Sequence, residues 1–248
     1  MNALILAAGF GTRLKPFTDT NPKALVPVEG VPMLERVIEK LQKQGFGRIC
    51  VNIHHFGEKI IDFLEANPFL GEIDISDERK KLLDTGGGVV KAYRQLGSHE
   101  PLLVHNVDII SDADLKSIRY FHDKEKNDVT LLISERDSRR KLVFDKELNL
   151  KGWHDLEKDL YRPAGFRPAE GDREYAFSGI YVVGEKATEE MENLFGEDSF
   201  PVMDYFLDVR RKGKIKGYLQ NKLTILDIGK PATLAQASDI LKKLHSKE

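Results

Sequence analysis

Short apolar runs alternate along this chain with stretches whose apolar residues recur at helical spacing, and that alternation restricts the possible folds more than any other feature. Residues 3–8, 48–53, 101–105 and 128–134 have the length and composition of buried strands. Between the first two, Pro32 can start a helix in which Leu34, Val37, Ile38 and Leu41 share a face, with Gly45 as its stop. Residues 57–65 offer a second helix with Ile60, Ile61 and Leu64 inward, and residues 72–76 a weaker strand. Such alternation predicts βαβ units: an α/β protein, a single Rossmann-like domain with a mixed, mainly parallel central sheet flanked by helices.

The later chain carries the same signals less regularly. Residues 142–144 and 148–153 predict an antiparallel hairpin, and the polar stretch 154–174 a long surface loop able to cover a site. Residues 175–183 predict a strand, 201–211 a helix, 215–220 and 224–228 two last strands. Pro231 starts a terminal helix with Leu234, Ala237, Ile240, Leu241 and Leu244 inward. Ser111 is the expected N-cap of a helix whose first turn would hold Asp112 and Asp114.

With 248 residues, 41% of them hydrophobic and 31% charged, the chain can bury a sizeable core and is not of disordered composition. A formal net charge of −2 gives no overall attraction to nucleic acid or membrane, so anion binding requires a local cluster of cations. Cys50 is the single cysteine, within an apolar run, which leaves no intrachain disulfide and no cysteine metal site. The N-terminus reads as a core strand and no apolar run approaches membrane-spanning length. The expectation is a cytoplasmic protein, monomeric or a small homo-oligomer.

The first strand ends in a loop suited to polyphosphate. Gly9 and Gly11 let the backbone bend and approach a ligand, and Arg13, Lys15 and Lys23 supply charge. Pro16, Pro22 and Pro27 keep the segment from becoming a helix. It is not a dinucleotide fingerprint, because Leu14 stands at the third glycine position and His54-His55 where an acidic residue should follow the second strand. It is not a P-loop either, having no Gly-Lys-Ser/Thr. Asp84-Thr85-Gly86-Gly87-Gly88, expected just before a helix from about residue 89 to 96, can expose amide N–H groups to an anion or a base edge. Asn106-Val107-Asp108 ends a central strand, where open α/β sheets bind ligands, and a carboxylate facing a phosphate loop implies an intervening cation such as Mg²⁺.

The pair L-A-A-G-x-G-T-R-L and P-K-A-L-V-P-V closely resembles the signature of the sugar-1-phosphate nucleotidyltransferases, or nucleotide-sugar pyrophosphorylases. Four weaker segments follow in that family's order: DTGGG, VDII, FSGI and LDIG. The resemblance implies transfer of a nucleotidyl group from a nucleoside triphosphate to a sugar 1-phosphate, with Mg²⁺ as cofactor. It implies nucleotide binding by Leu6, Ala7, Ala8, Gly9, Gly11, Thr12, Arg13, Lys23, Asp84, Thr85, Gly86 and Gly87, with Arg13 and Lys23 catalytic. Sugar contacts fall to Asn106, Ser178 and Gly179, and metal ligation to Asp108 and Asp227. A nucleotide-binding part would span about residues 1–110, a sugar-binding part 111–230 and a terminal helix 231–245. Val107 departs from the family's Gly-Asp; Ile225 and Lys230 depart from its W-x-D-x-G-T. The layout looks most like short N-acetylmuramate-1-phosphate uridylyltransferases and mannose-1-phosphate guanylyltransferase-like proteins, with thymidylyl and cytidylyl transfer still open. A catalytically silent nucleotide-sugar sensor of the same fold is the alternative, against which the joint presence of Arg13, Lys23, Asp108 and Asp227 argues.

Overall fold

Burial of the N-terminal strand organises the architecture. A computed structural model describes residues 1–229 and 231–245, so Lys230 lies outside the described residues. β1 (Asn2–Leu6) is almost wholly buried, and the loop after it folds as three single 3-10 turns, Thr12–Leu14, Phe17–Asp19 and Lys23–Leu25. A short ladder, β2 (Pro27–Val28) with β3 (Val31–Pro32), leads into α1 (Met33–Lys43). Next come β4 (Arg48–Ile53), α2 (Gly57–Ala66), β5 (Ile73–Asp77), α3 (Asp84–Leu96) and β6 (Leu102–Asn106). They are followed by β7 (Ile109–Ser111), α4 (Leu115–Glu125), β8 (Val129–Ser134), β9 (Arg140–Phe144), β10 (Leu150–Asp155), β11 (Leu160–Arg162) and β12 (Arg173–Val183). The chain ends with α5 (Glu185–Phe195), α6 (Val202–Phe206), β13 (Ile215–Leu219), β14 (Ile225–Asp227), α7 (Pro231–Ala235) and α8 (Ala237–His245).

Among the described residues one ten-stranded sheet dominates. β5, β4, β1 and β6 are parallel, β12 runs antiparallel between β6 and β8, and β13 lies parallel to β8. The N-terminal end of β12 leaves to pair with β9, which continues through β10 to β11. Because side chains alternate across a strand, β1 sends Leu4 to one core and Ala3 and Ile5 to the other. The first core is covered by α3, α5 and α6, the second by α1, α2 and α4. The mixed, mainly parallel sheet with helices on both faces is the architecture the alternating pattern predicts.

Several local expectations are corrected. α3 begins at Asp84, so the glycines lie inside its first turns and not before it. Asp114, not Ser111, caps α4 by accepting the Ser117 N–H at 2.9 Å, while Ser111 is paired with Ile225 in a ladder. The stretch 154–174 is not simply a loop. β10 runs to Asp155 and pairs with β11, with His154 buried, stacked on Tyr161 at 3.9 Å and bonded to Glu174. α6 stops at Phe206 because the Asp208 carboxylate takes the Arg210 N–H and starts a turn. α5 has no counterpart in the sequence expectation, since its buried Ala187 and Met191 are diluted by glutamates. The terminal helix is broken at Gln236 into α7 and α8, with Ala237 and Leu241 packed on Val28, Met33, Ile110 and Ile228.

His105, fully buried on β6, is held neutral down to about pH 4 by burial, its Nδ1 meeting the Asn106 carbonyl. The unfolded chain takes a proton near the ordinary value of 6.5 while the native chain does not. Stability is therefore present above about 6.5 and is lost as pH falls toward 4. Urea denaturation of His105→Gln should show a flatter acid limb over that window than the parent.

Candidate active site

The opening loop is a clamp closed by Gly11. At φ +63° that residue occupies the left-handed region, and a Cβ there would lie 2.9 Å from both Lys23 Cβ and Thr18 Cγ2. The absent side chain lets the turn carrying Thr12 and Arg13 fold down onto Lys23, and Thr18 Oγ1 fastens it to the Gly11 carbonyl at 2.9 Å. Gly9 has nothing within 4 Å of a notional Cβ, so its backbone faces open space. The cleft in front holds about 260 Å³ and is lined by residues 6–9, Lys23, Asn52, Leu82, Asp84, Thr85 and residues 106–108.

Two carboxylates converge here through a small piece of sheet. β7 and β14 pair antiparallel, with Asp227 opposite Ile109, and the Ile228 N–H donates to the Asp108 carbonyl at 2.8 Å. Asp108 is thereby placed beside Asp227 although the two are far apart in sequence. Val107, where the family pattern has glycine, donates its N–H to the Leu6 carbonyl and is buried in the second core. The substitution thus adds packing and leaves the Asp108 carboxylate at the cleft.

Cations surround the pair. The Lys23 ammonium is bonded to Asp108 Oδ2, both side chains about 15% exposed or less. A Cβ on Gly229 would lie 2.7 Å from Asp227 Oδ1 and 2.9 Å from Arg13 Nη2, which puts the Arg13 guanidinium beside Asp227. Asp227 is exposed as a residue, but the side chains crowded around its carboxyl strip away part of its water and push it up, and the Asp108 charge adds to this, against the pull of Lys23, Arg13 and Arg136. Among the described residues no group of three or more His, Cys, Asp and Glu could enclose a metal, so an ion at these two carboxylates must complete its shell from substrate and water.

The glycine-rich segment divides its work. Asp84, at φ +57°, and Thr85 reach the cleft. Gly86 and Gly87 do not line it: Cβ atoms there would lie 2.2 Å from the Phe200 ring and 2.9 Å from Leu83, and the Gly86 N–H is already taken by the Phe200 carbonyl. These glycines admit the segment before α6 beneath Asp84 and Thr85, and Thr85 Oγ1 accepts from the Val202 N–H at 2.9 Å. Gly86→Val should destabilise the chain by about 1–3 kcal/mol, the usual cost of overpacking, read as a fall in thermal midpoint.

Three participants were not picked out from sequence. Asn52 Oδ1 accepts from Ala7 and Ala8 N–H at 2.6 and 3.3 Å, so those amides hold the loop in place and are not free for phosphate. Asn52 Nδ2 donates to Glu78, which also accepts from the Leu83 N–H. This buried chain fixes the distance between the opening loop and the start of α3. A polar residue inside the apolar run 48–53 was its one visible signal. Arg136, just past β8, gives no such signal. At the far end of β6, Gly179 at φ +70° marks an irregularity in the β12–β8 ladder, and Asn106 Nδ2 fills the space a Cβ there would need.

A family model described as nucleotidyl transferase matches residues 2–243. The chain belongs to the nucleotidyl transferase family. An N-acetylmuramate alpha-1-phosphate uridylyltransferase from Caulobacter vibrioides is 36% identical over 139 residues, 53% of this chain and 57% of the relative. The bifunctional protein GlmU of Methanococcus aeolicus is 32% identical over 99% of this chain and 56% of its own length. The chain thus spans little more than half the length of these two relatives. HddC from Yersinia pseudotuberculosis, solved with GMP-PN, superposes with a TM-score of 0.75 at 25% identity, covering 97% of this chain and 99% of that one.

Proposed function

We propose that this nucleotidyl transferase joins a nucleoside triphosphate to a sugar 1-phosphate, giving a nucleotide sugar and pyrophosphate. The observation that carries the reading is the meeting of Lys23, Arg13, Asp108 and Asp227 at one end of β1. The triphosphate would lie along residues 9–13, with its base toward Asp84 and Thr85 and the sugar toward Asn106, Ser178 and Gly179. An oxygen of the sugar phosphate attacks the α-phosphorus, a new P–O bond forms, and the bond to the β-phosphate breaks with its electron pair leaving on pyrophosphate. The attacking oxygen is already anionic, so no general base is required. Positioning and charge neutralisation then supply most of the acceleration.

Asp108 and Asp227 fit Mg²⁺: they are hard oxygen donors, mutually repelling, with the Asp227 carboxyl raised by its crowded surroundings and by the Asp108 charge. Such an ion supplies neutralisation of the phosphate oxygens gathered in the cleft. Lys23 is the internal counter-ion of Asp108 in the free chain. Incoming phosphates give its ammonium a second anionic partner, so the same side chain stabilises the empty site and meets the reacting phosphates.

UTP with N-acetylmuramate 1-phosphate, or GTP with mannose 1-phosphate, are the best-supported pairs, resting on the similarity to the uridylyltransferase and to a mannose-1-phosphate guanylyltransferase of Arabidopsis thaliana, 35% identical over 55% of this chain. Incubation with UDP- and GDP-sugars plus pyrophosphate should regenerate the triphosphate, and EDTA should stop it. No triphosphate from any nucleotide sugar would favour a silent binding protein.

A further inference from the structure

The half-buried guanidinium of Arg136 has no acidic partner within ion-pair distance among the described residues. Its Nη2 donates to the Phe177 carbonyl at 2.9 Å, and its Nε is buried with no hydrogen-bond acceptor. Burial holds the guanidinium below its ordinary value, against the opposing pull of the Asp227 charge. A buried cation without an ion pair is costly unless something compensates it. The neighbouring residue of the carbonyl it grips is Ser178, 1% exposed, whose Oγ also lacks a partner. Directly after Ser178 comes Gly179, where the β12–β8 register shifts. An unpaired guanidinium tied to the Phe177 carbonyl and the unused hydroxyl of the next residue therefore lie beside the backbone irregularity, with the guanidinium within electrostatic reach of Asp227.

Building on the reading of the site given above, we propose that Arg136, assisted by Ser178, is an oxyanion-binding point for the sugar substrate, a specificity-determining residue outside the family signature. A planar guanidinium with one N–H already tied to a carbonyl is fixed in orientation and presents its remaining donors to a carboxylate or phosphate. The oxyanion is either the 1-phosphate shared by all such substrates or a carboxylate carried on the sugar.

The test compares Arg136→Gln and Arg136→Lys with the parent, using mannose 1-phosphate and the carboxylate-bearing N-acetylmuramate 1-phosphate. Pyrophosphate release gives the KM of each substrate, and calorimetry gives binding of the same sugar phosphates without turnover. Arg136→Gln should raise the sugar-phosphate KM roughly 10- to 100-fold, the usual worth of a charged hydrogen bond, and move the triphosphate KM less than about 2-fold. Arg136→Lys should recover part of the loss. A rise for both sugars assigns the contact to the 1-phosphate; a rise for the acidic sugar alone assigns it to the carboxylate. Equal movement of both substrates' KM values, or movement of neither, overturns the proposal and leaves Arg136 a brace for Phe177. If the parent releases no pyrophosphate with any pair, the nucleotidyl-transfer reading fails, and calorimetry decides for Arg136: weakened binding in Arg136→Gln upholds the proposal, and unchanged or absent binding ends it.

Discussion

Lys23→Ala should lower kcat/KM by roughly 10²-fold or more, the scale lost when one preorganised charge is removed from a transition state. Among the described residues the ammonium is the one cation bonded directly to Asp108, and it stands where the glycine clamp at Gly11 folds onto the cleft. Its removal leaves Asp108 and Asp227 facing each other with less compensation, so a modest stability loss should accompany the kinetic one. Asp108→Asn keeps the shape, and its backbone still accepts from Ile228 N–H; its turnover should fall comparably with the thermal midpoint retained. Steady-state kinetics beside thermal denaturation separates the two effects. Near-normal turnover in either variant would remove these residues from the chemistry.

Asp227→Asn should split function from stability. Its turnover should drop about 10²-fold or more by the same charge argument, yet the ligand-free protein should become more stable at neutral pH. Crowding by neighbouring side chains first, and the Asp108 charge second, raise the folded-state carboxyl above its value in the unfolded chain, an effect that the exposure of Asp227 to solvent keeps small. A group raised in this way contributes stability fully below its unfolded value and loses that contribution as pH rises through the folded one. Asparagine carries no such loss, so the thermal midpoint of the variant relative to the parent should climb as pH passes through that window toward neutrality. A midpoint difference that falls with pH, or that shows no rise, would mean that Asp227 is not strained by its crowded surroundings and by Asp108. This pattern, a site that is less stable for holding its catalytic charges, is the ordinary trade between stability and function.

The sequence made the sheet and the glycine turn after β1 legible for local reasons. A continuous apolar run ending in Gly9 and Gly11 signals both a buried parallel strand and a close backbone approach, and helix-period faces such as Leu34, Val37, Ile38 and Leu41 show where the cover lies. What stayed hidden depends on partners distant in the chain. Gly86 reads as a ligand loop until Phe200 is seen beneath it. Ser111 reads as a cap until β14 claims it as a strand residue. Glu78 and Arg136 are ordinary surface residue types in sequence, and only the fold buries the one against Asn52 and turns the other toward Asp227. Asp108 and Asp227 could be named from a motif, but their meeting depends on the two-stranded ladder of β7 and β14, which no local pattern announces.

The most direct measurement is pyrophosphate release over a grid of UTP, GTP, dTTP, CTP and ATP against mannose, glucose, N-acetylglucosamine and N-acetylmuramate 1-phosphates, with Mg²⁺ and with EDTA. The arrangement of Arg13, Lys23, Asp108 and Asp227 predicts Mg²⁺-dependent release with at least one pair, strongest with UTP or GTP, and its loss in Lys23→Ala. Absence of release from every pair, in a protein that still binds nucleotide, would contradict nucleotidyl transfer and leave a binding module on the same fold.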